Sequence, residues 1–99
     1  MTSKTGMIIA YTAIDKVIDE GFNIANLGDG MNPMDAEAWW EKSCKVMERM
    51  ERIEESAFVY YLRLIYFVRR RTDIGDVDKI ALALSYLMDV LIFLKDKIK

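Results

Sequence analysis

The chain has 99 residues, of which 53% are hydrophobic, and a formal net charge of −2. It contains no histidine, which excludes Ser-His catalytic triads and histidine zinc sites, and its single cysteine, Cys44, excludes an internal disulfide bond. A lone cysteine is typical of a reducing compartment, so we expect a cytoplasmic protein. Apolar residues recur at steps of three and four, which predicts one all-α domain over residues 1–99.

The first predicted helix covers about residues 4–26 and is followed by a glycine loop at 27–32, "LGDGMN". Gly21 weakens this helix by roughly 1 kcal/mol relative to alanine and is a point where it can end early. Asn32 and Pro33 are a suitable capping residue and first helical residue for helix 2. The next break is "RTDIGD" at residues 71–76, so helix 2 is predicted as one long helix over about 33–71.

The third predicted helix covers about residues 76–98, and it shares an uninterrupted apolar seam pattern with helix 2. The seam of helix 2 is Ala36, Trp39, Ser43, Val46, Met50, Ile53, Ala57, Tyr60, Leu64 and Phe67, and that of helix 3 is Val77, Ile80, Leu84, Leu87, Leu91, Leu94 and Ile98. A turn at 72–75 places Phe67 opposite Ile80. The two helices are therefore predicted to form an αα-hairpin.

Further apolar residues surround this hairpin on every side, and three helices cannot bury them all. We therefore predict that two hairpins pack face to face in a homodimeric helical bundle, with a higher assembly left open. The predicted interface consists of Phe58, Tyr61, Leu62, Ile65, Val68, Tyr86, Val90 and Phe93.

A membrane is the other environment that accepts apolar helices, but the two apolar runs, 57–68 and 80–94, contain only 12 and 15 residues. Neither run spans a hydrocarbon layer of about 30 Å at a rise of about 1.5 Å per residue. Each run also contains one charge, Arg63 or Asp89, so membrane insertion is not expected. These two charges either form a bridge between subunits, or Asp89 accepts a hydrogen bond from the hydroxyl of Tyr60 or Ser56. For Arg63, the simpler alternative is that it reaches the rim along its aliphatic stem.

Two groups of residues are candidates for partner binding. Trp40, Cys44 and Met47 form a second stripe on helix 2, which is either core of the dimer or an exposed anchor for another protein. The other group is an arginine corner, Arg69, Arg70 and Arg71, with Arg63 one or two turns earlier. The corner either complements the helix dipole or binds phosphate or a carboxylate-rich partner. Nucleic acid is not expected, since the chain as a whole is acidic.

An enzymatic alternative rests on acidic residues. Glu48, Glu51 and Glu55 have a spacing that can hold a divalent ion in a helical bundle, although ion pairs on a solvated helix face explain the same residues. The segment "YLMDVLIFLKDK" at 86–97 resembles the last helix of all-α nucleotide pyrophosphohydrolases, whose acids on facing helices hold magnesium. The resemblance covers about a dozen residues and implies Asp89 as a ligand, but Tyr86 stands where the family has a glutamate.

The sequence thus predicts a small, non-enzymatic, homo-oligomeric helical protein, without cofactor, that binds another macromolecule as a regulator, adaptor or inhibitor. Two alternatives remain. One is a magnesium-dependent nucleotide hydrolase that uses Glu48, Glu51, Glu55 and Asp89. The other is a binder of small anionic ligands, held between subunits by the arginine cluster.

Overall fold

The computed structural model describes residues 4–51 and 55–98, with side chains described over 4–49 and 59–98. This part of the chain forms four α-helices: α1 (Lys4–Ala25), α2 (Pro33–Glu51), α3 (Glu55–Arg70) and α4 (Asp76–Ile98). One 3₁₀ turn, Gly28–Gly30, lies between α1 and α2. The predicted all-α class is confirmed for the described residues.

The expected single long helix over 33–71 is two helices, and α3 folds back along α2. Arg69 near the end of α3 forms an ion pair with Glu37 near the start of α2. In one straight helix these residues would be about 48 Å apart, at about 1.5 Å per residue. Helices α2 and α3 therefore lie side by side and run in opposite directions.

Each helix packs against the next one along the chain, and α1 packs against α4, which closes a four-helix bundle. The bundle measures 43 × 21 × 19 Å. Short connections between successive helices make neighbouring helices antiparallel. One chain thus supplies the four helices that the sequence predicts for a dimer of two hairpins.

Four of the seven predicted seam residues of α4 are buried, since Ile80, Leu84, Leu87 and Leu94 are at most 3% exposed. The other three, Val77, Leu91 and Ile98, are half-buried. The predicted seam on α3 is wrong. Tyr60 and Phe67 are 62% and 65% exposed, and this helix buries other residues instead: Leu62, Ile65 and Val68. Because α3 is a separate helix, its buried face does not continue the seam of α2.

Helix α2 begins as its sequence predicts. The side chain of Asn32 accepts a hydrogen bond of 2.9 Å from the backbone N–H of Met34, and its carbonyl accepts one of 3.0 Å from Ala36. Pro33 is the first helical residue, where it loses no hydrogen bond. The cap fixes the start of α2, and with it the depth at which Trp39 enters the core.

The side chain of Trp39, on α2, packs against α1 at Gly21. Its indole N–H donates a hydrogen bond of 2.8 Å to the carbonyl oxygen of Val17, and the ring is 1% exposed. The ring lies against Gly21, where an added Cβ would be 2.7 Å from both Trp39 Cζ2 and Leu84 Cδ2. Gly21 therefore does not end α1 but lets α2 and α4 approach its backbone.

The Gly21→Ala variant should lower the free energy of unfolding by about 1–3 kcal/mol, because the new methyl group overlaps a rigid indole ring. This loss should outweigh the gain of about 1 kcal/mol in helix propensity. Urea unfolding followed by circular dichroism measures the difference.

Gly30→Ala is the matched control, because nothing lies within 4 Å of its added Cβ. Its stability should stay within about 0.5 kcal/mol of the wild type. A Gly21→Ala protein as stable as the wild type would show that the three helices do not meet this closely.

Candidate functional site

The four arginines between residues 63 and 71 divide into two pairs with different surroundings. Arg69 is bound to Glu37, and its Nη1 also lies 3.9 Å from Cys44 Sγ. Arg71 donates two hydrogen bonds to Asp73, at 2.9 and 2.6 Å, and these lower the pKa of Asp73 to about 2. Both arginines therefore form intramolecular contacts. Arg69 connects α3 to α2, and Arg71 stabilises the turn before α4.

The other two arginines, Arg63 and Arg70, are exposed and form no ion pair with another described residue. They line a shallow depression of about 370 Å³ together with Tyr66 and Phe67. Two guanidinium groups and an exposed aromatic ring thus share one surface. Arginine remains charged at any physiological pH and donates to carboxylates in a planar, two-pronged geometry.

The depression belongs to a longer strip along α3, formed by Tyr60, Arg63, Phe67 and Arg70, which we call the α3 strip. Its residues follow one another at steps of three, four and three, so they lie on one helix face. All four are exposed. The opposite face of α3 is buried, and the strip therefore points away from the bundle.

Tyr66 forms one edge of the depression and is fixed there by α2. Its hydroxyl donates a hydrogen bond of 2.5 Å to Glu48 Oε1. This bond to a carboxylate raises the pKa of Tyr66 to about 12, because the phenol must keep its proton to donate it. Glu48, a predicted magnesium ligand, is therefore the hydrogen-bond acceptor that connects α2 to α3.

Cys44 lies beneath the Arg69–Glu37 ion pair and is 4% exposed. Burial raises the pKa of its thiol, and the neighbouring Arg69 offsets only part of that increase. The thiol thus remains protonated at neutral pH, and a protonated, buried thiol is a poor nucleophile.

The predicted Trp40 stripe lies in the core of the single chain. Trp40 is 5% exposed and Met47 is 0% exposed, and the ring of Trp40 contacts that of Trp39 edge to face, with 5.0 Å between centroids. Neither side chain presents a surface to another protein in this fold. The stripe contributes to the bundle interior, because α3 folds back over α2.

The residues predicted for the dimer interface are largely used within one chain. Leu62, Ile65, Val68 and Val90 are buried in the core. Three others are half-buried, namely Tyr61, Tyr86 and Phe93. The side chain of Phe58 lies outside the described residues. A second copy would therefore need another surface.

The two charges that the sequence places within apolar runs, Arg63 and Asp89, are both on the surface. Neither needs a buried partner, since water solvates them. The predicted magnesium ligands are not assembled by the described side chains, among which no group of three acidic or cysteine residues is placed to hold a metal ion. Glu51 and Glu55 fall outside the described side chains.

Sequence reasoning missed Tyr60 and Phe67 as surface residues because it assigned both to the helix 2 seam. A signal for the strip is present in the sequence, since aromatic and arginine residues alternate along one helix face at 60, 63, 67 and 70.

Over the described residues no helix has the length and apolar character required to cross a bilayer. No family model, curated protein or solved structure matches the chain.

Trp40→Ala should unfold at much lower urea concentration than the wild type, with a loss of about 3–5 kcal/mol, because the substitution leaves a cavity in the core. Met34→Ala is the control, since Met34 is 80% exposed and should change stability by no more than about 0.5 kcal/mol. Unchanged stability of Trp40→Ala would place the indole on the surface.

The pKa of Tyr66 should fall from about 12 toward its ordinary value of about 10 in Glu48→Gln. The folded-state pKa is raised, so the stabilisation from this bond is complete below pH 10 and is lost between about pH 10 and 12. Spectrophotometric tyrosine titration measures the change, with Tyr66→Phe subtracted to isolate one phenol. An unaltered Tyr66 titration in Glu48→Gln would exclude the bond.

Proposed function

We propose that this protein is a small, non-enzymatic, homodimeric binding protein that holds an acidic segment of another protein on the α3 strip. The observation that carries the proposal is the placement of two exposed arginines, Arg63 and Arg70, on either side of the exposed ring of Phe67. Such a protein would act as a regulator, adaptor or inhibitor. Its single free thiol fits a reducing compartment such as the cytoplasm.

The chemistry of the strip favours a protein as the occupant. Arginine and aromatic residues are enriched where proteins bind each other, and they supply much of the binding energy there. Phe67 and Tyr60 are each more than 60% exposed, so apolar side chains of a partner can cover them. The arginines at either side can then pair with carboxylates of the same partner.

The spacing of the arginines favours an extended occupant over one small anion. Arg63 and Arg70 are two helical turns apart, about 10 Å along the axis. A segment that carries several carboxylates can pair with both, and Arg69, the third arginine expected to bind a small anion, is already bound to Glu37. Two free arginines are few for nucleic acid, whose long phosphate backbone would extend past the strip onto a chain with a net charge of −2.

The same groups are suited to recognition rather than to proton transfer. Guanidinium groups stay protonated near neutral pH. Tyr66, with a pKa of about 12, also keeps its proton there. The depression therefore supplies permanently protonated donors and aromatic surface, and binding energy from these contacts should weaken as salt screens the charges.

Replacing both free arginines, as Arg63→Gln/Arg70→Gln, should weaken binding of an acidic partner by about tenfold or more, because two charge-assisted contacts are lost. Fluorescence anisotropy measures this with a labelled glutamate-rich peptide that contains one tryptophan. Lys45→Gln/Arg49→Gln is the matched control, since it removes the same charge from exposed residues of α2.

The same peptide with glutamine in place of glutamate should not bind measurably. Equal affinity of the wild type and the α3 variant for the acidic peptide would contradict the proposal. Binding of a single-stranded oligonucleotide or of inorganic phosphate at lower concentrations than the peptide would replace the protein partner with that ligand.

A further inference from the structure

We propose that the second copy docks on the outer face of α4, with the two α4 helices antiparallel across a two-fold axis. This inference rests on the homodimer in the proposed function and names its interface. The face consists of Ala81, Ser85, Met88 and Ile92, all of them exposed, which we call the α4 stripe. Met88 and Ile92 are 43% and 61% exposed.

The spacing of the α4 stripe is that of a helix–helix seam. Its residues follow one another at steps of four, three and four, the pattern by which antiparallel or parallel helices pack side chains between each other. The inward seam of α4 is already occupied by the bundle. The chain thus carries a second, unoccupied seam on the same helix.

An antiparallel second copy matches this stripe in size. When the axis lies between Ser85 and Met88, the small Ser85 faces Met88 of the second copy, and the small Ala81 faces its Ile92. Large residues therefore meet small ones at all four levels, as close packing requires. The Ser85 hydroxyl donates to the carbonyl oxygen of Leu82 at 2.6 Å, so it can be buried without losing its hydrogen bond.

A cleft beside the stripe provides the space that the larger residue needs. It has a volume of about 430 Å³, lies between α1 and α4, and presents no charged side chain. Its lining includes Phe22, Val77, Ala81 and Leu84. Since Ala81 faces Ile92 of the second copy in this register, that isoleucine enters the cleft next to Phe22.

The charged residues at the two ends of the stripe pair with opposite charges in the same register. A shift by seven residues in either direction loses this pairing. Asp78 at one end faces Lys95 of the second copy at the other, and both are exposed without an ion pair to another described residue. A shift of seven residues one way places Met88 against Asp78. A shift the other way places Lys95 against Ser85. The pairing is thus self-complementary, as a two-fold interface must be.

Sedimentation equilibrium of the full chain tests the surface. A contact between single helices is smaller than the about 800 Å² per partner of a standard interface, so we expect a dimer that dissociates at micromolar concentration. Met88→Lys should raise the dissociation constant of the dimer by about tenfold or more. The lysine would stand at the centre of the seam, close to the same lysine of the second copy, and the two positive charges would repel each other.

Met34→Lys is the matched control, because Met34 is equally a methionine on a helix, is 80% exposed and lies on α2. It should dimerise like the wild type, and circular dichroism should show the same helix content in both variants. A dimer unaffected by Met88→Lys would overturn the α4 interface and leave the homodimer to another face.

Disulfide cross-linking tests the register. Ala81→Cys mixed with Ile92→Cys should form a disulfide between the two chains under mild oxidation, whereas each variant alone and the wild type, whose Cys44 is buried, should not. Cross-linking of Ala81→Cys with itself would show parallel helices and overturn the register.

A wild type that remains monomeric up to millimolar concentration would overturn both this interface and the homodimer of the proposed function. The peptide anisotropy experiment on the α3 strip is read independently, since Arg63 and Arg70 lie on a different helix. Failure of one surface therefore does not count as failure of the other.

Discussion

The return of α3 along α2 is the constraint from which the other surfaces follow. It brings Leu62, Ile65 and Val68 against the core and buries Trp40 and Met47 on the facing side. Burial of side chains of this size contributes about 1.5–3 kcal/mol each relative to exposure, so a straight helix would leave a large stabilisation unused. Because the apolar face of α3 is used in this way, Arg63, Arg70 and the rings of Tyr60 and Phe67 must face water.

Charged residues divide into those that stabilise this arrangement and those that it leaves free. Arg69 lies where α2 and α3 meet and is bound to Glu37, while Arg71 is bound within the turn by Asp73. Exposed pairs of this kind contribute less than about 1 kcal/mol each. Their main effect here is to fix the positions of neighbouring groups, and among the arginines from 63 to 71 only Arg63 and Arg70 lack this role.

Helix content, the cap at Asn32 and the buried seam of α4 could be predicted from the sequence, because each depends on spacing or on neighbouring residues. The reversal before α3 could not, since no glycine or proline occurs between Pro33 and Gly75. One sign was present: residues 48–55, "ERMERIEE", interrupt the apolar runs with six charges. The error then propagated to the site, because a seam continued in phase across 52–54 assigns Phe67 to the interior.

The two indole rings of this protein, 5.0 Å apart and inclined at 69° to each other, give it a built-in optical probe of its interior. Such a pair couples its excited states, so it should produce a characteristic circular dichroism band only while α2 keeps both rings in place. The tyrosine rings, in contrast, lie on α1, α3 and α4, and Tyr60 is largely solvated. The circular dichroism of the tryptophan pair therefore reports on the integrity of the bundle, and the absorption of Tyr60 reports on events at its surface.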